Sequence, residues 1–293
     1  IMYICLAALA VCSAASASKA FDSTRAYGFL TKQCDFGPRP PGTTAHSATR
    51  DYLAQELKLC TPSVEFQNFT YTQAGRKYPM TNIIGRFGNL GKPGVLLCAH
   101  WDTRPTADMD SDLIKRKKPI IGANDGASGV AVLLELAHMF RKTPPAVPVT
   151  IVFFDGEDWG PGSDDMFLGA RYYASRIGSN QKFKYGILLD MVGDSSLNIP
   201  REANSQRRAE FVVDKVWKAA TDLGYSSSFT NSVKYNISDD HLPLLQAGIS
   251  CIDVIDFDYP YWHTLADTPD KCSPSSLKIV GETVARVVYS EQL

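Results

Sequence analysis

The amino-acid sequence predicts an α/β protein in which a mixed, largely parallel sheet lies between two layers of helices. Three continuously apolar runs, residues 147–154, 185–189 and 249–255, indicate strands that are buried on both faces. Segments with helical spacing of apolar residues separate these runs, and this alternation is typical of a three-layer α/β/α sandwich. The length of 293 residues suits one large domain.

The segments before the first buried run predict two helices and a pair of strands. Apolar residues recur at helical spacing in residues 23–36 and 44–57, and a Gly- and Pro-rich breaker separates the two segments. Residues 63–72 and 81–87 alternate between polar and apolar side chains, as hairpin strands do. A Gly-containing turn then leads into an apolar strand at 95–99.

Three further helices are predicted after the strand at residues 95–99. Apolar residues from 130 to 137 recur at helical spacing between the strands at 95–99 and 147–154. Residues 211–223 and 277–289 show the same spacing after the later strands. These helices would cover the predicted sheet.

The charge balance excludes a nucleic-acid partner. The chain has 30 basic and 31 acidic residues, and its longest basic run is residues 115–118. A protein that binds nucleic acid by releasing phosphate counterions needs a basic face, which such a sequence does not supply.

Residues 1–17 are interpreted as a signal peptide, which would leave a single domain over residues 18–293. The stretch is apolar and ends in small residues, with an A-x-A cleavage pattern at Ala15. Cys12 leaves a lipoprotein-type signal open, and a lipid anchor would then be the only membrane attachment. A spanning helix is less well supported because the apolar run is shorter than the ~20 residues that a span requires. We therefore expect an exported protein.

Five cysteines follow the signal segment. Cys98 and Cys251 lie in apolar runs and are interpreted as small buried side chains. Cys34 and Cys60 flank a predicted helix, so they could form a disulfide or remain free thiols, and Cys272 has no evident partner. The absence of a C-x-x-C motif disfavours a zinc–thiolate site.

Residues of metal-ligand type follow nearly every buried strand. In such sheets, ligands bind beyond the carboxyl ends of the strands. These ends lie at one edge of the sheet, so side chains from distant segments of the chain come together there. Imidazole and carboxylate groups are what zinc takes in catalytic sites, usually three protein groups with one open position. The candidates are His100, Asp102, Asp125, Asp155, Glu157, Asp158, Asp190 and His263.

The motifs around these candidates resemble the zinc aminopeptidase (M28-like) superfamily, which also contains the type II glutaminyl cyclases. The resemblance extends from about residue 82 to the C terminus. It rests on His100-Trp101-Asp102, residues 122–129, residues 153–158, Leu189-Asp190 and Trp262-His263-Thr264. Within the superfamily, residues 238–243 and Trp262 look like the mammalian-type cyclases of bacteria.

The resemblance implies one catalytic zinc ion held by Asp125, Asp158 and His263. Many relatives carry Glu where this chain has Asp158, so that ligand is one methylene shorter. Glu157 would move a proton between the attacking and leaving nitrogens. The implied reaction converts the N-terminal glutamine of a peptide or protein to pyroglutamate and releases ammonia.

Five other residues are given roles by the same resemblance. Asp190 and Asp240 would be supporting acids in catalysis, and Trp262 would form a wall of the substrate pocket. His100 and Asp102 would be either a second metal site or a retained structural hydrogen bond. The likeness to bacterial cyclases also implies a location in the periplasm or cell envelope, or secretion, and leaves the oligomeric state open.

Two alternative functions remain to be weighed. A dinuclear zinc aminopeptidase of the same superfamily would need ligands that the chain also has, namely His100, Asp125, Asp158, Asp190 and His263. A catalytically silent peptide-binding protein is disfavoured, because neither Glu157 nor any ligand is lost.

Overall fold

A computed structural model of the chain describes residues 20–178 and 182–293. The signal segment predicted for residues 1–17 lies outside these ranges. Among the helices of the described ranges, none is both long and apolar enough to cross a membrane.

The described residues form one six-stranded sheet and a separate two-stranded sheet. The strands are β1 (Ser63–Gln73), β2 (Arg76–Phe87), β3 (Gly94–His100), β4 (Val149–Phe154), β5 (Phe183–Asp190), β6 (Ile199–Glu202), β7 (Phe229–Lys234) and β8 (Cys251–Ile255). The main sheet has the order β1-β2-β4-β3-β5-β8, and β6 pairs with β7. Pairing is antiparallel from β1 to β4 and parallel from β4 to β8. The predicted mixed, largely parallel sheet is confirmed.

Helices cover both faces of the main sheet. They are α1 (Ser23–Asp35), α2 (Thr44–Cys60), α3 (Ala127–Lys142), α4 (Leu168–Ser175), α5 (Ala203–Asp222), α6 (His241–Gln246) and α7 (Pro274–Ser290). Polar side chains begin several of them: Asp22, Thr43 and Ser273 each accept a hydrogen bond from a backbone N–H in the first turn of α1, α2 and α7.

The residues of β3 pack alternately against the helices on the two faces of the main sheet. Val95, Leu97 and Ala99 belong to the larger core, with α1, α2, α3, α5 and α7. Leu96 and Cys98 point the opposite way, into a smaller core beside α4 and α6. Because both faces of the strand are buried, its sequence is continuously apolar, and the predicted α/β/α sandwich is confirmed.

The structure extends some predicted elements and adds short ones. Strand β2 begins at Arg76 rather than at residue 81, since its first residues pair with β1 at the edge of the sheet. Helix α5 begins at Ala203 rather than at 211. A kink at Ala209 separates its first turns from the part that was predicted. The short elements β6, β7, α4 and α6 were not predicted, because segments of 4–8 residues give little periodicity.

Cys34 and Cys60 are free thiols, so the disulfide considered for them does not form in this structure. Each lies in its own buried environment: Cys34 is near Arg39 and Asp267, whereas Cys60 is near Arg141. Burial raises the pKa of both thiols to about 11, which keeps them protonated at neutral pH.

The breaker between α1 and α2 inserts a fully buried arginine beneath the loops that follow β3. The guanidinium of Arg39 donates hydrogen bonds to the carbonyl oxygens of Trp101 (3.1 Å), Ile121 (2.8 Å) and Gly122 (3.0 Å). The backbone N–H of Arg39 donates to the hydroxyl of Thr103 at 2.7 Å. Arg39 thus ties together two stretches of chain that lead to Asp125.

Replacing Arg39 with methionine should destabilise the fold strongly. The change keeps much of the aliphatic volume but leaves two buried carbonyl groups and one part-buried carbonyl group without their donor, so we expect the free energy of unfolding to fall by about 3 kcal/mol or more. Urea denaturation followed by tryptophan fluorescence measures the change. The control is Arg208→Met on the exposed side of α5, which should stay within about 0.5 kcal/mol of the parent. Equal stability of the two variants would contradict the assigned role of Arg39.

Candidate active site

The carboxyl ends of four parallel strands meet at one edge of the main sheet and surround a small cavity. Its volume is about 50 Å³, and it is lined by six of the predicted site residues together with neighbouring side chains. The six are Asp125, Glu157, Asp158, Asp190, Trp262 and His263. Residues that are far apart in the sequence therefore come together as the strand-end argument predicts.

Asp125, Asp158 and His263 form a group that could hold a metal ion. One potential ligand atom from each lies within 4.8 Å of the others, and all three residues are buried. His263 Nε2 is 3.3 Å from Asp158 Oδ1 and 3.6 Å from Asp125 Oδ2. The Oδ2 atoms of Asp125 and Asp158 are buried and accept no hydrogen bond from the described residues. Two free carboxylate oxygens and one imidazole facing a cavity fit the donor set of a catalytic zinc site.

His263 is held in an unusual backbone conformation beside a second carboxylate. Its φ is +54°, in the left-handed region that non-glycine residues rarely adopt, and such strain is common at functional sites. His263 Nδ1 lies 3.2 Å from Asp108 Oδ1. Burial alone would lower the pKa of His263, but the nearby carboxylates of Asp158 and Asp108 raise it to about 9.

Arg104 links the same carboxylates. It donates hydrogen bonds to Asp108 at 2.9 and 2.7 Å and to Asp158 at 2.8 Å. The sequence did not identify Arg104 or Asp108 as site residues. Both residues lie in the segment between β3 and α3, and neither follows a strand directly. Their place beside His263 became evident only from the fold.

Asp102 fixes the loop that carries Glu157 and Asp158. Its two carboxylate oxygens accept hydrogen bonds from the backbone N–H groups of Glu157 (3.1 Å) and Asp158 (3.3 Å). Asp102 Oδ1 is 3.7 Å from His100 Nδ1, which is beyond a normal hydrogen bond. Asp102 therefore acts on the backbone of the neighbouring loop.

Asp267 plays the corresponding part for the loop that carries Asp125. Its carboxylate accepts the backbone N–H groups of Asn124 (2.9 Å) and Asp125 (3.2 Å), and also the hydroxyl of Tyr259 (2.7 Å). Burial raises the pKa of Asp267 to about 7 despite these donors. Both ligand-bearing loops are thus held by a buried carboxylate that binds two successive backbone amides.

A second group of ligand type shares Asp125 with the first. It consists of His100, Asp125 and Asp190, whose potential ligand atoms also lie within 4.8 Å of one another. His100 Nε2 is 3.1 Å from Asp125 Oδ1 and 3.1 Å from Asp190 Oδ1. Burial alone would lower the pKa of His100, but the carboxylates of Glu157 and its other neighbours raise it well above the usual value. Asp125 therefore belongs to both groups.

Glu157 also lines the cavity, and its Oε2 atom lies 3.8 Å from His100 Nδ1. Burial raises the pKa of its carboxyl well above the usual range, and the negative charge of Asp158 adds to the increase, whereas His100 opposes it. A carboxyl group with a raised pKa can both accept and return a proton near neutral pH.

Two adjacent carboxylates, Asp239 and Asp240, both add to the raised pKa of Glu157. Asp239 lines the cavity, whereas Asp240 does not line it and is fully buried, and neither of its carboxylate oxygens has a hydrogen-bond partner in the described residues. The supporting role predicted for Asp240 stays a prediction. Burial, with the charge of Asp190, raises the pKa of Asp239 to about 8.

Trp262 forms a wall of the cavity, in the position predicted for it. Its ring stacks on the imidazole of His263 at a centroid distance of 3.9 Å and contacts Phe257 at 5.0 Å. Other apolar residues of the wall, which the sequence did not identify, are Met166, Met191, Ile237, Ile255 and Phe257.

Asp155 and His46 lie apart from the cavity. His46 Nε2 is 2.9 Å from Asp155 Oδ1, both residues are buried, and the His46 ring stacks on Trp101 at 4.3 Å. Asp155 also accepts the backbone N–H of Thr81 at 2.6 Å. This strand-end carboxylate is therefore a structural partner of His46, and His46 packs on Trp101.

Comparison with known proteins gives a consistent relationship. The model of peptidase family M28 matches residues 82–288. The glutaminyl cyclase of Tannerella forsythia is 41% identical, with a TM-score of 0.90 over 93% of this chain and 100% of its own. A Bacteroides thetaiotaomicron structure described as a leucine aminopeptidase precursor is 38% identical, with a TM-score of 0.90 over 93% and 98%.

A mouse protein extends the relationship to animals. The glutaminyl-peptide cyclotransferase-like protein of Mus musculus is 26% identical over 284 residues, which covers 84% of this chain and 70% of its own length. The order of the strand-end motifs, the cavity they build and these similarities agree. The chain belongs to peptidase family M28 and, within it, to the glutaminyl cyclases.

Proposed function

We propose that the protein is a glutaminyl-peptide cyclotransferase that acts on peptides and proteins with an N-terminal glutamine. The observation that carries this proposal is the placement of Glu157 beside the Asp125, Asp158 and His263 group, in a cavity of about 50 Å³ walled by Trp262. Such a cavity suits one small side chain. The similarity to the glutaminyl cyclase of Tannerella forsythia and to the glutaminyl-peptide cyclotransferase-like protein of mouse supports the same reaction.

One zinc ion would be held by Asp125, Asp158 and His263. When bound there, zinc supplies Lewis-acid stabilisation of negative charge on the γ-carbonyl oxygen of the glutamine. The surroundings of the two histidines favour a single ion. A ligating histidine usually has its other ring nitrogen beside a carboxylate or carbonyl group, and His263 has Asp108 at 3.2 Å. The corresponding nitrogen of His100 has no hydrogen-bond partner in the described part of the chain.

His100 would instead act as a buried cation. Its Nε2 atom lies 3.1 Å from Asp125 and from Asp190, and the surrounding carboxylates favour the protonated ring. An imidazolium at this point would balance the charge that a second metal ion balances in a dinuclear site.

Glu157 would carry the proton during cyclisation. The α-amine of the glutamine forms a bond to the side-chain amide carbon, and the bond from that carbon to the amide nitrogen breaks. Glu157 takes a proton from the attacking nitrogen and gives it to the leaving nitrogen, which departs as ammonia. The raised pKa of Glu157 suits both transfers.

Asp190, Asp239 and Asp240 would support this proton transfer. Asp190 and Asp239 line the cavity with Glu157, and Asp240 adds to the raised pKa of Glu157 from its fully buried position. The raised pKa of Asp239 lets a protonated carboxyl group donate a hydrogen bond to a carboxylate nearby. Trp262 would close the site around the glutamine side chain. Because the reaction consumes no water, a small apolar wall that excludes water also suppresses hydrolysis.

A zinc aminopeptidase remains the alternative because of one observation. Asp125 is shared between two groups of ligand type, as a bridging ligand of two metal ions would be. Two observations favour cyclisation. The Nδ1 atom of His100 has no hydrogen-bond partner in the described residues, and the chain is similar to the Tannerella forsythia cyclase and to the mouse cyclotransferase-like protein.

The two functions are separated by a pair of peptides that differ in the first residue. Incubation with a Gln-initiated peptide should lower its mass by ~17 units, the mass of ammonia, while a Leu-initiated peptide of otherwise identical sequence stays intact. Mass spectrometry follows both. Release of leucine from the second peptide, or no change in the first, would reject the cyclotransferase assignment.

Glu157→Gln should abolish turnover while metal binding is kept. The substitution removes the proton carrier, and a loss of at least about 10²–10⁴-fold in kcat is expected. Glu157 is not one of the three proposed ligands, so the zinc content of the variant should equal that of the parent. Glu210→Gln, on the exposed face of α5, is the matched control. Substantial activity in the Glu157 variant would show that another group carries the proton.

Asp108→Asn should weaken metal binding through His263. The change removes the negative charge beside His263 Nδ1, and loss of such a partner typically lowers metal affinity by about 10–100-fold. Competition with a chelator measures the dissociation constant of zinc. Asp164→Asn, at an exposed carboxylate, is the control and should leave the affinity unchanged. An unchanged affinity in the Asp108 variant would remove Asp108 from this role.

A further inference from the structure

We propose that an apolar groove beside the cavity binds the side chain of the second residue of the substrate and gives the enzyme a preference for apolar residues there. The inference rests on the proposed function, since it takes the cavity as the site of the N-terminal glutamine. The groove has a volume of about 410 Å³. Most of its lining is apolar, and its main members are Met109, Met166, Tyr235, Ile237, Phe257 and Trp262.

The groove is continuous with the cavity that holds the proposed reaction centre. Met166, Ile237, Phe257 and Trp262 line both spaces, and so does His263. A glutamine whose side chain fills the cavity has its carbonyl carbon at the mouth of that cavity. The next residue of the peptide would therefore pass along the residues that line both spaces, and its side chain would lie in the groove.

A row of aromatic rings forms one side of the groove. Tyr235 contacts Phe257 at a centroid distance of 5.4 Å, and Phe257 contacts Trp262 at 5.0 Å. Trp262 in turn stacks on His263. The hydroxyl of Tyr235 donates a hydrogen bond to Asp258, which holds the outer ring in place. A continuous aromatic surface from the proposed metal site to the exterior favours apolar and aromatic partners.

Two methionines face this row from other segments. Met109 is 55% exposed, which is a large exposure for an apolar side chain. Its backbone N–H donates to the carbonyl oxygen of His263 at 3.2 Å, so the loop that carries it is fixed to the site. Met166 is half-buried and borders the cavity as well. Methionine adapts to side chains of different shape, so the groove should accept several apolar residues.

The charged residues of the groove are already paired. Arg104 binds Asp108 and Asp158, and Asp108 also lies beside His263. A charged second residue would therefore meet partners whose charge is already balanced, and it would lose hydration against the aromatic rings. The groove should discriminate against acidic and basic side chains alike.

The test compares peptides that differ only in the residue after glutamine, with Phe, Leu, Ala, Glu or Lys at that position. For the unmodified protein we expect kcat/KM to be about tenfold higher with Phe or Leu than with Ala, and lowest with Glu or Lys. Met109→Ser should reduce the advantage of Phe over Ala to about threefold or less, mainly through a higher KM for the Phe peptide. The control is Leu59→Ser on α2, because Leu59 is 56% exposed and lies outside the groove. It should keep the parent's preference.

The outcomes separate this inference from the proposed function. If all five peptides are cyclised with similar kcat/KM, or if Glu or Lys is preferred, the groove does not select the second residue although the enzyme is a cyclase. An unchanged Phe preference in Met109→Ser would likewise overturn the assigned part of Met109. If none of the Gln peptides is cyclised, the proposed function itself fails.

Discussion

The burial of several carboxylates at one edge of the sheet is the constraint on which the rest of the site depends. Asp125, Glu157, Asp158, Asp190 and Asp239 surround a cavity of about 50 Å³. Buried carboxylates are costly unless cations or hydrogen-bond donors compensate them. Arg104 and His100 supply positive charge from the protein, and the unpartnered oxygens of Asp125 and Asp158, with the imidazole of His263 beside them, leave a place for a metal ion. The raised pKa values of Glu157 and Asp239 have the same physical origin.

The geometry of this cluster is fixed by contacts made through the backbone. Asp102 and Asp267 each bind two successive amides of a loop that carries proposed ligands, and Arg39 binds three carbonyl groups of the loops after β3. Since these contacts do not use the reacting side chains, they leave Asp125, Glu157 and Asp158 free to face the cavity. Fixed donors and carboxylates of this kind reduce the reorganisation that the reaction would otherwise require.

Much of the fold follows from local pattern, whereas the supporting contacts of the site do not. Apolar runs and helical spacing predicted the main strands and helices, and the strand-end rule predicted that Asp125, Asp158, Asp190 and His263 converge. The sequence indicated Asp240 as a supporting acid but did not single out its neighbour Asp239, which lines the cavity, because residue type alone does not report which of two adjacent carboxylates reaches a cavity. The support from Asp267 comes from a residue 143 positions away from Asn124, and no periodicity reports such a contact.

The location of bound zinc is the most direct test of the proposed single-metal site. Crystals grown with zinc and measured above and below its absorption edge give anomalous difference maps that locate the ion independently of activity. With a single zinc site, we expect one strong peak, at about 2.0–2.2 Å from one donor atom each of Asp125, Asp158 and His263. A second peak of similar height between His100 and Asp190, or no peak at the first position, would contradict it.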